Sequence, residues 1–145
     1  MRALAKVPDL LALAAQHGID IVRHHDGEKG RWYPARRTIS LRVGLPARAE
    51  RCTLAHELGH AVLEHDAGGH LPRWLVEKQE RAADRWAANL LIDAREYAHL
   101  ETIYEGHLGA IAAEMGVTVS LLATWRDNQD MSSAASPESS AFGAQ

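Results

Sequence analysis

The sequence HELGHAVLEH, residues 56–65, is followed after a spacer by ERAADRWAANLL, residues 80–91. In the first segment, His56 and His60 are four positions apart, which places them one turn apart on the same face of a helix. Two imidazoles so placed can reach one tetrahedral metal ion, while Glu57 points to one side and can act as a base on water. The segment therefore predicts a helical metal site in which Glu57 is the catalytic residue.

A third protein ligand distinguishes a metal site from a chance match in a chain that has nine histidines. One candidate is Asp66, six residues after His60, but that arrangement depends on a glycine turn where this chain has Leu63. The other candidate is Glu80, because glycines and a proline in the spacer can bring a second helix back alongside the first. Glu77, one turn earlier, is a weaker alternative.

The predicted helix that carries Glu80 is amphipathic. Glu80 and Asp84 lie on its apolar side with several alanines, whereas its arginines lie on the other side. Because a buried unpaired carboxylate is costly, each carboxylate needs a cation or a hydrogen-bond donor. A metal ion would satisfy Glu80, and the outer N–H of a ligand histidine would satisfy Asp84. The alternative is pairing of both carboxylates with Arg48, Arg51 or Arg73.

The rest of the chain divides into β-prone and helical stretches. The β-prone runs, separated by turn residues, are 19–23, 31–33 and 38–43. The helical runs are 8–16, 47–64, 74–92, 94–104, 107–115 and 120–128. We therefore predict an α+β fold. A small antiparallel sheet packs on the helix with the two histidines and on the helix with the third ligand, and further helices follow toward the C-terminus.

Length and composition fit one domain, since 145 residues with 46% apolar and 24% charged side chains can bury a working core. Residues 131–145 are small and polar, so we predict a single domain over residues 1–130 and a disordered tail after it.

The net charge of -3 gives no electrostatic footprint for nucleic acid or an anionic membrane. The single cysteine, Cys52, and an N-terminal apolar run too short for a membrane span favour a cytoplasmic protein.

Residues 107–128 have the pattern of a helix-turn-helix, with two apolar helical runs separated by a glycine. A DNA-binding module is therefore an alternative hypothesis. The second run offers only Arg126 as a basic residue, which disfavours direct nucleic-acid binding. A structural zinc domain that binds a regulator without cutting it is a further alternative, but a closed structural site has no use for a base such as Glu57.

Taken together, the two motifs resemble those of the ImmA/IrrE-type metallopeptidases, gluzincin-like enzymes that are similar to thermolysin. The resemblance implies metal ligation by His56, His60 and Glu80. Glu57 would be the general base and acid, and Asp84 would hold a ligand histidine. The helix with the third ligand departs from the usual pattern of the family at three positions but keeps the glutamate.

The resemblance further implies a zinc-dependent endopeptidase that cleaves a regulatory protein, such as a helix-turn-helix transcriptional repressor of a phage, mobile element or stress circuit. Imidazole and carboxylate ligands suit zinc, and Mn²⁺ or Fe²⁺ fit the same donors. The strand at 38–43 is expected to pair with an extended substrate. The alternative is a non-catalytic, metal-containing protein that binds a repressor or DNA.

Two further groups of polar residues have open roles. Candidates for a donor that stabilises the developing oxyanion are Tyr33, Tyr97, Tyr104, His99 and His107. A packing or surface role is the simpler interpretation of each. We interpret His65 and His70 as bystanders of the metal site.

Overall fold

The computed structural model describes residues 8–66 and 69–142 of the chain, with side chains described as far as residue 132. Its elements are α1 Leu10–Gln16, β1 Asp20–His24, β2 Gly30–Tyr33, β3 Thr38–Arg42, α2 Ala47–Val62, α3 Arg73–Leu91, α4 Ala94–Ile103, α5 Leu108–Met115 and α6 Val119–Phe142. A short 3-10 turn, Pro34–Arg36, joins β2 to β3. The predicted α+β class is confirmed. Gly68, one of the glycines in the spacer between the two motifs, lies outside the described residues.

The sheet is mixed, so the prediction of an antiparallel sheet is wrong for one of its two strand pairs. The strand order is β1-β3-β2, with β1 parallel and β2 antiparallel to β3. Ile39, Ser40 and Leu41 in β3 are all buried. Three consecutive buried residues are typical of a strand that is covered on both faces.

Helices α2 and α3 pack closely against each other because both carry small residues at their contact. Ala83, Ala87 and Ala88 of α3 are fully buried. On α2, a Cβ added to Gly59 would lie 3.0 Å from the carbonyl oxygen of Ala83. The two backbones therefore approach more closely than larger side chains would allow. This contact brings the histidines of α2 beside the carboxylates of α3.

Several helices begin at a residue whose side chain accepts a backbone hydrogen bond. Asp9 accepts from the N–H of Ala12, so α1 starts at Leu10 and leaves the preceding proline outside the helix. Asp93 caps α4 in the same way, and His107 caps α5. These caps explain why the observed starts of α1 and α5 lie one or two residues after the predicted ones.

Helices α5 and α6 follow each other with a bend of 106°. Gly116, in the left-handed conformation, ends α5. Arg48 and Arg51 of α2 donate to the carbonyl oxygens of Val117 and Gly116, at 3.4 Å and 3.1 Å, and so attach this turn to α2.

In the described part of the chain no single helix has the length and hydropathy of a membrane span. The bent pair α5 and α6 meets that test by length and composition only.

The last helix is longer than predicted. It continues to Phe142, past the expected end at Asn128 and through most of the predicted tail, residues 131–145. The single domain over residues 1–130 and the disordered tail after it stay predictions.

Candidate metal centre

Three ligand atoms from α2 and α3 converge. The Nε2 atom of His56 lies 3.1 Å from one carboxylate oxygen of Glu80, and the Nε2 atom of His60 lies 2.6 Å from the other. The two Nε2 atoms are 3.1 Å apart. Ligands placed about 2.0–2.1 Å from a tetrahedral zinc ion are separated by about 3.3 Å. Two of the three separations are close to this value, and the donor types are metal ligands, so the three residues could hold a metal ion.

The charges around these atoms also favour a cation. Burial by itself lowers the pKa of His56. Hydrogen bonds to Asp84 and Glu80 outweigh this effect and raise the pKa to about 10. Hydrogen bonds from His56 and His60 hold the pKa of Glu80 well below its ordinary range. The cluster therefore stabilises a positive charge between the ligand atoms, and a bound metal ion would supply that charge in place of a proton.

Asp84 lies against the outer nitrogen of a predicted ligand histidine, since its Oδ1 atom is 2.6 Å from Nδ1 of His56. With Nδ1–H donating to Asp84, a neutral His56 would offer the lone pair of its Nε2 atom to a metal ion. The predicted burial of the two carboxylates is wrong, because the side chains of Glu80 and Asp84 are 52% and 46% exposed. They border an open cleft and not the core.

The alternative pairing of these carboxylates with arginines does not occur among the described contacts. Arg48 and Arg51 donate to backbone carbonyls at the turn between α5 and α6. Arg73 donates to Glu77 at 3.1 Å, so the weaker candidate ligand Glu77 is engaged elsewhere. Asp66, the other candidate ligand, lines the cleft but does not belong to the converging group.

Glu57 lies beside the three ligand residues without being one of them. It is 8% exposed and lines the same cleft. Burial raises the pKa of Glu57, and the neighbouring His56 and His60 oppose that rise. A Cβ added to Gly30 would lie 2.9 Å from Cγ of Glu57, so β2 packs directly against this side chain. A carboxylate of raised basicity in this position is suited to proton transfer.

The cleft has a volume of about 690 Å³ and several walls. One wall is the segment from Glu28 to Trp32, which contains most of β2. A second is the start of α3 with the residues before it, and a third is the start of α6, where Thr118, Ser120 and Thr124 contribute hydroxyl groups. The ligand residues and Glu57 thus lie in a groove large enough for part of a polypeptide.

None of the five predicted oxyanion donors is among the described residues that line the cleft. Tyr97 donates to Glu101 and packs on the ring of Trp125, and Tyr104 donates to Glu114. The simpler packing interpretation therefore fits both tyrosines.

His65 contacts the candidate ligand His60, which the sequence did not predict. Its Nδ1 atom lies 2.9 Å from Nδ1 of His60, although the sequence favours a bystander role. Burial, followed by the nearby His60, lowers the pKa of His65. Helical periodicity gives no signal for this contact. It depends on Glu64, whose φ of 56° turns the chain back immediately after α2.

Comparison with known proteins identifies the family of this chain. A solved structure of a Mycobacterium tuberculosis transcriptional regulator is similar in fold, with a TM-score of 0.58 and 15% sequence identity. The match covers 79% of this chain but only 38% of that protein's chain. Comparison with curated proteins gives no significant match. The family model of the IrrE N-terminal-like domain matches residues 14–124, most of the chain, so the protein belongs to the peptidase M78 family.

Proposed function

We propose that this protein is a zinc-dependent endopeptidase. The observation that carries the proposal is the convergence of His56, His60 and Glu80 beside Glu57 in an open cleft. Membership of the peptidase M78 family supports a metallopeptidase-like or regulatory function. Two imidazoles and one carboxylate make three protein ligands, the number typical of catalytic zinc sites, whereas structural zinc sites have four.

Each residue of the site then has a distinct role. The two histidines and Glu80 would hold the ion, and Asp84 fixes the ring of His56. A zinc ion bound there would activate water and polarise the carbonyl of a peptide bond. Glu57 accepts the proton of the attacking water and returns it to the leaving amine.

The substrate-pairing strand must differ from the one expected from the sequence. Strand β3 is paired on both sides and has no free edge for a substrate. Strand β2 is an edge strand, and its residues line the cleft. We therefore assign substrate pairing to β2, whose unpaired backbone groups can accept an extended segment. Because Gly30 packs on Glu57, a segment bound along β2 passes close to the base.

A regulatory protein, such as a helix-turn-helix repressor in the cytoplasm, is the substrate class that we propose. The similar Mycobacterium tuberculosis protein is described as a transcriptional regulator, which supports a regulatory setting. A cleft that accepts an extended segment favours a polypeptide over a small amide. Flexible linkers of regulatory proteins offer segments of this kind.

The second candidate function is binding of a repressor or DNA without cleavage. DNA binding is disfavoured because the first turn of α6, which would be the recognition helix, lines the cleft beside the metal centre. A repressor-binding role without cleavage would leave the basicity of Glu57 without a purpose.

The experiment that separates these functions compares the zinc-loaded wild type with Glu57→Gln, using a co-encoded helix-turn-helix repressor as the substrate. Glutamine keeps the size of the side chain but cannot accept the proton. We expect Glu57→Gln to bind zinc and the repressor like the wild type and to lose about 100 to 10,000-fold in cleavage rate. Equal cleavage by both proteins, or full biological function of Glu57→Gln, would contradict the enzymatic proposal.

A further inference from the structure

The two histidine ligands are supported by different partners. The outer nitrogen of His56 meets a carboxylate, Asp84. The outer nitrogen of His60 meets a second imidazole, because Nδ1 of His65 lies 2.9 Å from Nδ1 of His60. The two rings are 5.1 Å apart at 65°, an edge-on arrangement that directs one ring nitrogen at the other.

The position of His65 is set by its backbone. The N–H of His65 donates to the carbonyl oxygen of His60 at 2.9 Å. The indole N–H of Trp32, itself buried in the core, donates to the carbonyl oxygen of His65 at 3.3 Å. Glu64 adopts a φ of 56°, which few residues other than glycine favour, and this turn returns the chain toward α2. The ring of His65 is thus anchored beside His60 from both α2 and β2.

The protonation states of the two rings are linked by this contact. To bind a metal through Nε2, neutral His60 must carry its proton on Nδ1. Only one proton fits between two Nδ1 atoms 2.9 Å apart, so His65 must present a lone pair there. We propose, on the basis of the metal centre proposed above, that His65 is a positioning residue. It accepts the Nδ1–H of His60 and so directs the Nε2 atom of His60 toward the metal.

Two substitutions at one position isolate this role. In His65→Asn, the amide oxygen occupies the branch position of Nδ1 and can still accept the proton. In His65→Leu, a methyl group occupies that position and accepts nothing. His70→Leu is the matched control, because His70 is an exposed histidine that does not line the cleft.

The main readout is zinc affinity, measured on the full chain by competition with a chromophoric chelator. Loss of an outer hydrogen-bond partner typically weakens metal binding about 10 to 100-fold, and we expect this loss for His65→Leu. His65→Asn should retain most of the affinity, and His70→Leu should match the wild type. Thermal unfolding of the metal-free proteins establishes that each variant is folded.

A second readout is independent of any substitution. In nitrogen-15 spectra of the zinc-loaded wild type, Nδ1 of His60 should carry a proton and Nδ1 of His65 should not. A proton on Nδ1 of His65 would overturn the proposed role, even if His65→Leu fails to fold.

The outcomes separate the two proposals. Wild-type protein that binds no zinc overturns the metal centre and the role of His65 with it. Wild-type protein that binds zinc, with His65→Leu equal to it in affinity, overturns the role of His65 alone. The same holds if His65→Asn loses as much affinity as His65→Leu, since the acceptor atom would then be irrelevant.

Discussion

The close contact between α2 and α3 predicts that Gly59→Ala impairs the metal centre without touching a ligand. The added Cβ would lie 3.0 Å from the carbonyl oxygen and 3.2 Å from Cα of Ala83, and 3.3 Å from Cε3 of Trp86. The two nearest atoms belong to the backbone of α3, so the helix itself must move. Ala83 is three residues from Glu80, and the displacement therefore acts directly on the distance between Glu80 and the histidines.

The magnitude follows from two opposing effects. Overpacking of a close contact costs about 1–3 kcal/mol. Replacing glycine by alanine inside a helix returns about 1 kcal/mol. We expect a net destabilisation of about 1 kcal/mol in the metal-free protein, measured by urea unfolding in the presence of a chelator. The displacement of Glu80 should lower zinc affinity about fivefold, because a loss of about 1 kcal/mol in binding free energy is a factor of about five.

The matched control is Gly69→Ala, because a Cβ added to Gly69 has no neighbour within 4 Å. This variant should change neither stability nor zinc affinity by a significant amount. If Gly59→Ala is instead more stable than the wild type by about the full helix preference of alanine and binds zinc equally well, the contact is looser than described and the reasoning fails.

Three further predictions concern the ligands and the residue that supports one of them. Glu80→Ala should weaken zinc binding far more than Glu77→Ala in a chelator competition, and the opposite ranking would mean that the third ligand is wrong. Asp84→Ala should remain folded and lose about 10 to 100-fold in zinc affinity, because the ring of His56 loses the acceptor at its outer nitrogen; unchanged affinity would show that this hydrogen bond has no part in metal binding. Zinc must displace a proton from His56, whose pKa is raised to about 10, so zinc affinity should fall progressively as the pH falls below about 10, and a flat pH profile would argue against His56 as a ligand.

The sequence predicts the local parts of the site because helical periodicity is a strong constraint. The spacing of His56 and His60 requires a shared helix face, and the structure brings Glu80 to both of them. The amphipathic pattern of α3 correctly identifies the side of the helix that carries Glu80 and Asp84. It misjudges their burial, because periodicity shows which face turns inward and not whether a cleft opens along that face.

Features that depend on tertiary contacts were not predictable in the same way. The parallel pairing of β1 with β3 arises because β3 inserts between its two predecessors, and no local pattern records that order. The contact of His65 with His60 requires the left-handed turn at Glu64, where the chain has no glycine to signal it. The sequence also does not show that β3 is the central strand and so has no free edge for a substrate. Edge and central strands of similar composition are distinguished only by their neighbours.

The most direct test of the metal centre is the zinc content of the full chain after zinc loading and removal of free metal, measured by elemental analysis for the wild type and for His60→Ala. We expect one zinc per chain in the wild type and a near-complete loss in His60→Ala, accompanied by the loss of zinc-dependent thermal stabilisation. A wild type without bound zinc, or a His60→Ala variant that retains a full equivalent, would contradict it.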